Sequence, residues 1–364
     1  LTKTPPAPLA RAFFAGSGSE ANDTAVKLVW YYNNARGRPE KKKIIARQKG
    51  YHGVTVAAAS LTGLPHLHNA FDLPLPRILH ADCPHHWRFA LPGESEEEFA
   101  TRLADQLDRL IQAEGPETVA AFIAEPVMGA GGVIVPPATY FKKVQAVLRR
   151  HDVLMIADEV ITGFGRTGSM FGSETFGIRP DIMTVAKALS SAYVPIAAVL
   201  VSEAVYRPIA EQSGKVGTFG HGYTYSGHPV GAAVAAETLA IFAERDIVGH
   251  VRRVGPRLQE GLRRLAGHPL VGEVRGVGLI AGVELVRDKA SRTGFDPAQG
   301  VGAKLVSFAQ ARGAILRAMG DSIGFSPPLV IDEAEIDELV AIFAAALDDT
   351  LDWTKACGIA PTGA

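Results

Sequence analysis

The chain has 364 residues, 47% of them hydrophobic, with 37 Lys and Arg against 38 Asp and Glu. A net charge of −1 gives no global pull toward nucleic acid or anionic lipid, and the length suits about two domains with sizeable buried cores. No apolar run reaches the ~20 residues of a membrane span, the start Leu1-Thr2-Lys3-Thr4-Pro5-Pro6 carries no signal-peptide pattern, and two cysteines, Cys83 and Cys357, exclude a disulfide framework. The expectation is a cytoplasmic, enzyme-like protein with no nucleic-acid or membrane partner.

In chain order, the first signal is Phe13-Phe14-Ala15-Gly16-Ser17-Gly18-Ser19, an apolar pair entering a Gly/Ser turn that opens a helix over 20–34. Such a turn either cradles an anion at a helix N-terminus or is a tight turn with Ser19 as N-cap; it lacks the spacing of a dinucleotide site. Short apolar, β-branched runs at 43–46, 120–124, 153–157, 182–185 and 197–201 read as buried strands. Helical spacing occupies 97–113, 139–150 and 230–242 between and after them. This alternation predicts an α/β large domain over 12–254, built on a mostly parallel sheet covered on both faces. Helices at 256–265, 302–312 and 333–347 around a Gly-rich strand at 276–285 predict a smaller α+β domain over 255–364.

Three features carry chemistry. Asp158 and Glu159 end the strand at 153–157, where carboxylates face the ligand crevice of an open α/β sheet or cap the next element. Lys187 directly follows Ile182-Met183-Thr184-Val185-Ala186, and a partly buried amine there would favour its neutral, nucleophilic form. His66, His68, Cys83, His85 and His86 are dense but fit no zinc-ligand spacing, so no metal site is expected.

Together with Gly50-Tyr51-His52-Gly53, Glu125-Pro126-Val127-Met128-Gly129, Gly163-Phe164-Gly165-Arg166-Thr167-Gly168 and Thr224-Tyr225-Ser226-Gly227-His228-Pro229, these motifs occur in the order that resembles class III aminotransferases. The resemblance runs from about Phe13 into the C-terminal region and implies fold type I with pyridoxal phosphate (PLP) as cofactor. By resemblance, Lys187 bonds the cofactor aldehyde and Asp158 pairs with the pyridine nitrogen. Gly18 and Ser19 form the phosphate cradle, Tyr51 and Val160 flank the ring, and Glu125 orients the ring and Asp158. Thr224 would reach the phosphate in a partner subunit, which implies a homodimer with shared sites.

Residues 315–329, with Arg317, resemble the omega-amino acid or amine:pyruvate branch. Arg317 would bind the keto acid carboxylate, for which a guanidinium fork is suited; the alternative is a charge at a strand edge. Ala130 stands where relatives acting on ornithine or 4-aminobutyrate usually carry an acid, which implies a roomier pocket. The family's N-terminal segment is expected to be absent from this chain, since the cradle motif already begins at Ser17. The implied reaction moves an amino group from an amine or omega-amino acid to a keto acid, pyruvate foremost. Rival readings are an aminomutase or decarboxylase on the same fold, or a non-catalytic PLP-binding dimer.

Overall fold

The computed structural model describes residues 1–362, which divide into two units. The first comprises Leu1–Gly129, Pro136–Gly165 and Ser169–Arg245; the second comprises Ala130–Val135, Arg166–Gly168 and the described residues from Asp246 onward.

The first unit is built on seven strands: β1 (Leu9–Ala15), β2 (Lys43–Arg47), β3 (Ile78–Ala81), β4 (Val119–Ala124), β5 (Leu154–Asp158), β6 (Ile182–Val185) and β7 (Ala197–Ser202). Their order is β1-β7-β6-β5-β4-β2-β3, with β7 antiparallel to both neighbours and the remaining pairs parallel. The central strands are buried on both faces, and their alternating side chains feed two separate cores. On one face Ile44, Ala121, Ile123, Leu154 and Ile156 meet Ala21, Ala25 and Val29 of helix α1 (Gly18–Ala35). On the other, Ile45, Phe122, Ala124 and Met155 meet Phe99, Leu103 and Leu107 of α2 (Glu96–Glu114), with Val144 and Leu148 of α3 (Tyr140–Arg150). Fully burying a side chain such as Phe122 contributes about 1.5–3 kcal/mol, so each sheet face is a substantial source of stability.

The doubly covered, mostly parallel sheet matches the expected architecture. Strands β1 and β3 were not anticipated. Both lie at sheet edges, and β1 alternates Arg11 among its apolar residues, so neither shows the continuous apolar run of a central strand. The helix opening at Gly18 is capped by Ser17, not Ser19: the Ser17 hydroxyl accepts from the Glu20 N–H at 3.2 Å.

In the second unit, four antiparallel strands run in the order β10-β11-β9-β8: β8 (Val271–Val277), β9 (Ile280–Leu285), β10 (Arg317–Met319) and β11 (Ser322–Phe325). The single strand expected at 276–285 is instead a hairpin. Gly278, with φ +57°, supplies the left-handed turn that reverses the chain between Val277 and Ile280. The division falls at Arg245/Asp246, nine residues before the expected boundary. Pro256, read from sequence as a helix start, lies inside a continuous helix Ile247–Arg263, whose Val251, Val254, Leu258 and Leu262 enter this unit's core. The helices Val301–Ala311 and Glu333–Ala356 complete that core, with Phe325 and Phe343 in edge-to-face contact at 4.9 Å.

Candidate active site

The C-terminal ends of parallel strands leave an open crevice in α/β sheets, and here β4, β5 and β6 deliver Glu125, Asp158 and Lys187 to one. The N-terminus of α1 and the loop after β2 close its other sides. The cavity holds about 390 Å³, within the range of small-molecule sites, and it gathers Gly18, Ser19, Tyr51, Glu125, Asp158, Val160 and Lys187. Thr224 is exposed in the loop between the helices Glu203–Val216 and Pro229–Glu244. Arg317 belongs to the second unit, where it is exposed as the first residue of the edge strand β10.

The first turn of α1 leaves the N–H groups of Gly18 and Ser19 without intrahelical acceptors, at the positive end of an eighteen-residue helix. That is a ready anion site. Glycine at position 18 lets α1 pack closely on Val160: a Cβ there would lie 3.2 Å from both of its methyls, tighter than an ordinary contact. The loop carrying Tyr51 is tied to α1 by several bonds, two of them just beyond Gly53. Val54 N–H donates to Ser19 Oγ at 3.1 Å, and Thr55 Oγ1 donates to Asp23 at 2.7 Å.

Asp158 is 3% exposed and has three hydrogen-bond partners. Its Oδ2 accepts from Asn22 Nδ2 and faces His52 Nδ1, both at 2.8 Å, while Oδ1 accepts from the Val160 N–H at 3.1 Å. Burial alone would raise this carboxyl. The His52 hydrogen bond and charge, with the Asn22 amide and Val160 N–H, outweigh burial and hold it below the usual carboxylate range. Asp158 is therefore an anion at neutral pH, fixed in place. Glu125 behaves oppositely. Burial raises its carboxyl, and nearby Asp158 adds to the rise against the opposing charge of His52 and the N–H donors of Tyr51 and Gly129.

Glu159 realises the other role open to a strand-end acid. Fully buried, it accepts from Thr162 Oγ1 at 2.5 Å and from the N–H groups of Gly172 and Ser173 at 3.0 and 2.6 Å, capping a one-turn helix. Lys187 corrects an expectation: it is exposed, not partly buried. Its Cα lies one residue past the apolar run and turns at φ +45° into a short 3₁₀ segment, Lys187–Ser190, which carries the side chain off the sheet into the open crevice. A left-handed conformation at a lysine is strained and persists only where its surroundings impose it.

Two polar cavity residues, Asn22 and His52, stand inside the sequence motifs but have no role assigned to them there. Asn22 lies four residues after Gly18, on the same face of α1, so helical spacing from the cradle motif would have found it. His52 adjoins Tyr51, but its burial beneath Asp158 is a tertiary fact. Among the described residues no group of three or more His, Cys, Asp or Glu side chains is placed to hold a metal ion.

A helix N-terminus, a buried anionic carboxylate and a strained lysine converging at the end of this sheet order define a fold type I cofactor-dependent transferase. Residues 1–347 match the family model described as aminotransferase class-III, and the chain belongs to that family. It is 60% identical over 342 residues to gamma-aminobutyrate transaminase 1, mitochondrial, of Oryza sativa subsp. indica, covering 94% of this chain and 66% of that protein. A gamma aminobutyrate transaminase 3, chloroplastic, of Solanum lycopersicum is matched at the same identity and coverage. The chain thus spans just under two-thirds of the length of these curated relatives. Among solved structures, a transaminase with L-ala superposes with TM-score 0.96 at 61% identity, covering 97% of this chain and 83% of that one. An omega transaminase from Pseudomonas jessenii in complex with PMP gives 0.97 at 57% identity, covering 100% and 79%.

Class III aminotransferases use PLP, and the residues present fit it. The unpaired N–H groups of α1 suit a phosphate, and the buried Asp158 anion, whose Oδ1 takes only the Val160 N–H and keeps a lone-pair direction, suits a protonated pyridine nitrogen. The Lys187 amine suits an aldehyde.

Proposed function

We propose that this chain transfers an amino group from an amine or omega-amino acid to a keto acid, with pyruvate the acceptor. The observation that carries this reading is the single cavity joining Gly18 and Ser19, Asp158 and Lys187. Bound PLP supplies an electron sink for the donor carbon. Asp158 keeps the cofactor nitrogen protonated by its fixed negative charge. Gly18 and Ser19 bind the phosphate, and Tyr51 and Val160 confine the ring. Glu125, through the Tyr51 and Gly129 N–H groups, fixes the backbone on either side. Lys187 anchors the cofactor and moves a proton at the donor carbon as base and then acid.

The names of the relatives support an omega-amino donor of the 4-aminobutyrate kind, and the structure with L-ala supports the alanine/pyruvate pair. Arg317 is proposed to hold the acceptor carboxylate. Thr224, exposed in its loop, and Val230, 57% exposed at the start of an apolar helix, support a homodimer in which Thr224 completes the partner's phosphate site. A reducing, cytoplasmic setting remains part of the proposal.

The test is reconstitution with PLP followed by alternating additions of donor and pyruvate. The cofactor band should bleach with 4-aminobutyrate or a 1-arylethylamine and return with pyruvate, and Lys187→Ala should abolish the cycle. A band inert to amines would overturn the assignment, and one that bleaches and recovers without any keto acid would favour an aminomutase. Arg317→Ala should raise KM for pyruvate about tenfold to a hundredfold, a loss of ~1.4–3 kcal/mol for a charge-assisted bond, with little change for the arylethylamine. Equal losses for both would make Arg317 only a strand-edge charge.

A further inference from the structure

Asn22 is 1% exposed on α1, and its side-chain amide has two hydrogens with two different acceptors. One goes to Asp158 Oδ2 at 2.8 Å and the other to the His52 backbone carbonyl at 2.7 Å. Both acceptors are oxygens, so the amide has only one admissible orientation. Turned over, its own oxygen would face a carboxylate and a carbonyl. Asn22 Oδ1 is consequently left buried without a partner, as is His52 Nε2. A buried polar atom without a hydrogen bond costs free energy, so the amide is retained here at some expense to stability. Packing alone would be served as well by an apolar side chain.

We propose that Asn22 is a positioning residue: its two-pronged donation locks the Asp158 carboxylate to the His52 backbone, so that the anion stands fixed at the cofactor nitrogen. Three separate pieces of chain meet at this amide: α1, the loop after β2 and the end of β5. The same helix that presents Gly18 and Ser19 to the phosphate thereby sets, one turn later, the carboxylate for the ring. The distance between the two ends of the cofactor site is fixed by one rigid element. The inference rests on the PLP reading above.

The test compares Asn22→Asp with Asn22→Ala in the full chain. It measures the equilibrium dissociation constant for PLP on either side of neutral pH, together with the melting temperature of the cofactor-free protein. The aspartate variant is nearly isosteric. If Asn22 only fills space, the aspartate should be the milder change, and the pH profile should not move. If Asn22 positions an anion, the aspartate places a second carboxylate against Asp158, and two such groups cannot both ionise in contact.

PLP binding should then weaken about tenfold in Asn22→Ala and about a hundredfold or more in Asn22→Asp on the alkaline side, each tenfold being 1.4 kcal/mol. The aspartate deficit should shrink on the acid side, where the pair takes up a proton and regains a donor. The other titratable side chains on the cavity wall, Tyr51, His52, Glu125 and Lys187, are common to all variants, and Asn22→Ala, which adds no charge, reports their share of the pH profile. Aspartate milder than alanine, or equal pH profiles, overturns the proposal. If the aspartate variant does not fold, Asn22→Ala decides alone, and a dissociation constant within about threefold of the parent overturns the proposal. A parent chain that binds no PLP overturns the reading of the site and this inference with it; a parent that binds while the variants match it overturns only this inference.

Discussion

At the scale of single residues, Asp158 shows how burial and hydrogen bonding compete. Desolvation favours the neutral acid, but His52, Asn22 and the Val160 N–H together favour the anion and prevail. A carboxyl held below its ordinary value contributes stability that is fully present above about pH 4, the unfolded value, and is lost as pH falls through the lower folded value. Asp158→Asn should therefore flatten the acid limb of the stability profile, measured as the urea midpoint against pH. On the proposed role of Asp158 at the ring nitrogen, it should also slow the donor half-reaction by about a hundredfold or more. An unchanged rate with merely faster cofactor loss would reduce Asp158 to a structural ligand.

At the scale of elements, the site depends on how closely the loop after β2 approaches α1. Gly53 adopts φ +130°, and a Cβ there would lie 2.4 Å from Ser19 Oγ and 2.9 Å from both Ser19 Cα and Ala58 Cβ. Both the backbone conformation and the space exclude a side chain. Gly53→Ala should push the loop off the helix, breaking the Val54 N–H bond to Ser19 Oγ and displacing Tyr51. The expected result is a stability loss of about 1–3 kcal/mol from overpacking, read by urea unfolding. PLP binding should weaken by about tenfold or more alongside it. A variant that binds PLP like the parent would show that the loop and the helix are not coupled.

At the scale of the molecule, each unit carries its own core, and the second also contains a buried ionic cluster. Arg275, with its side chain 6% exposed, donates to Glu284 at 2.8 Å, to Glu273 at 2.7 Å and to the Gly132 carbonyl at 2.5 Å. Ser322 Oγ donates to Glu284 as well, at 2.5 Å. This cluster draws residues 130–135, which follow the Glu125 motif in the chain, into the second unit. Val133 within that segment takes φ +52°, a strained conformation for a β-branched residue. Arg275→Ala leaves Glu284 buried without its cation and should cost about 3–5 kcal/mol by guanidinium unfolding of the full chain. Pairing Arg275→Met with Glu284→Gln should recover much of that loss, because the more deeply buried of the two carboxylates is then neutral and only Glu273, its side chain 19% exposed, loses the cation. Equal destabilisation by the single and double variants would mean that shape, not charge, is what the cluster supplies.

What the sequence alone determined is whatever local pattern encodes. Continuous apolar runs marked the central strands β2, β4, β5, β6 and β7, because strands buried on both faces have no polar side to show. The order of the motifs along the chain, through their resemblance to a known family, pointed to Gly18, Ser19, Tyr51, Glu125, Asp158, Val160 and Lys187, which no single local signal would have done. The edge strands β1 and β3, the hairpin at Gly278 and the passage of the helix Ile247–Arg263 through Pro256 were decided by tertiary packing, which overrode weak or contrary local signals. So were the roles of Asn22 and His52. Asn22 and Asp158 are 136 residues apart in the chain, and only the folded sheet brings an amide hydrogen to that carboxylate. The exposure of Lys187 was likewise settled by a left-handed turn at its own backbone, which the apolar run before it does not announce.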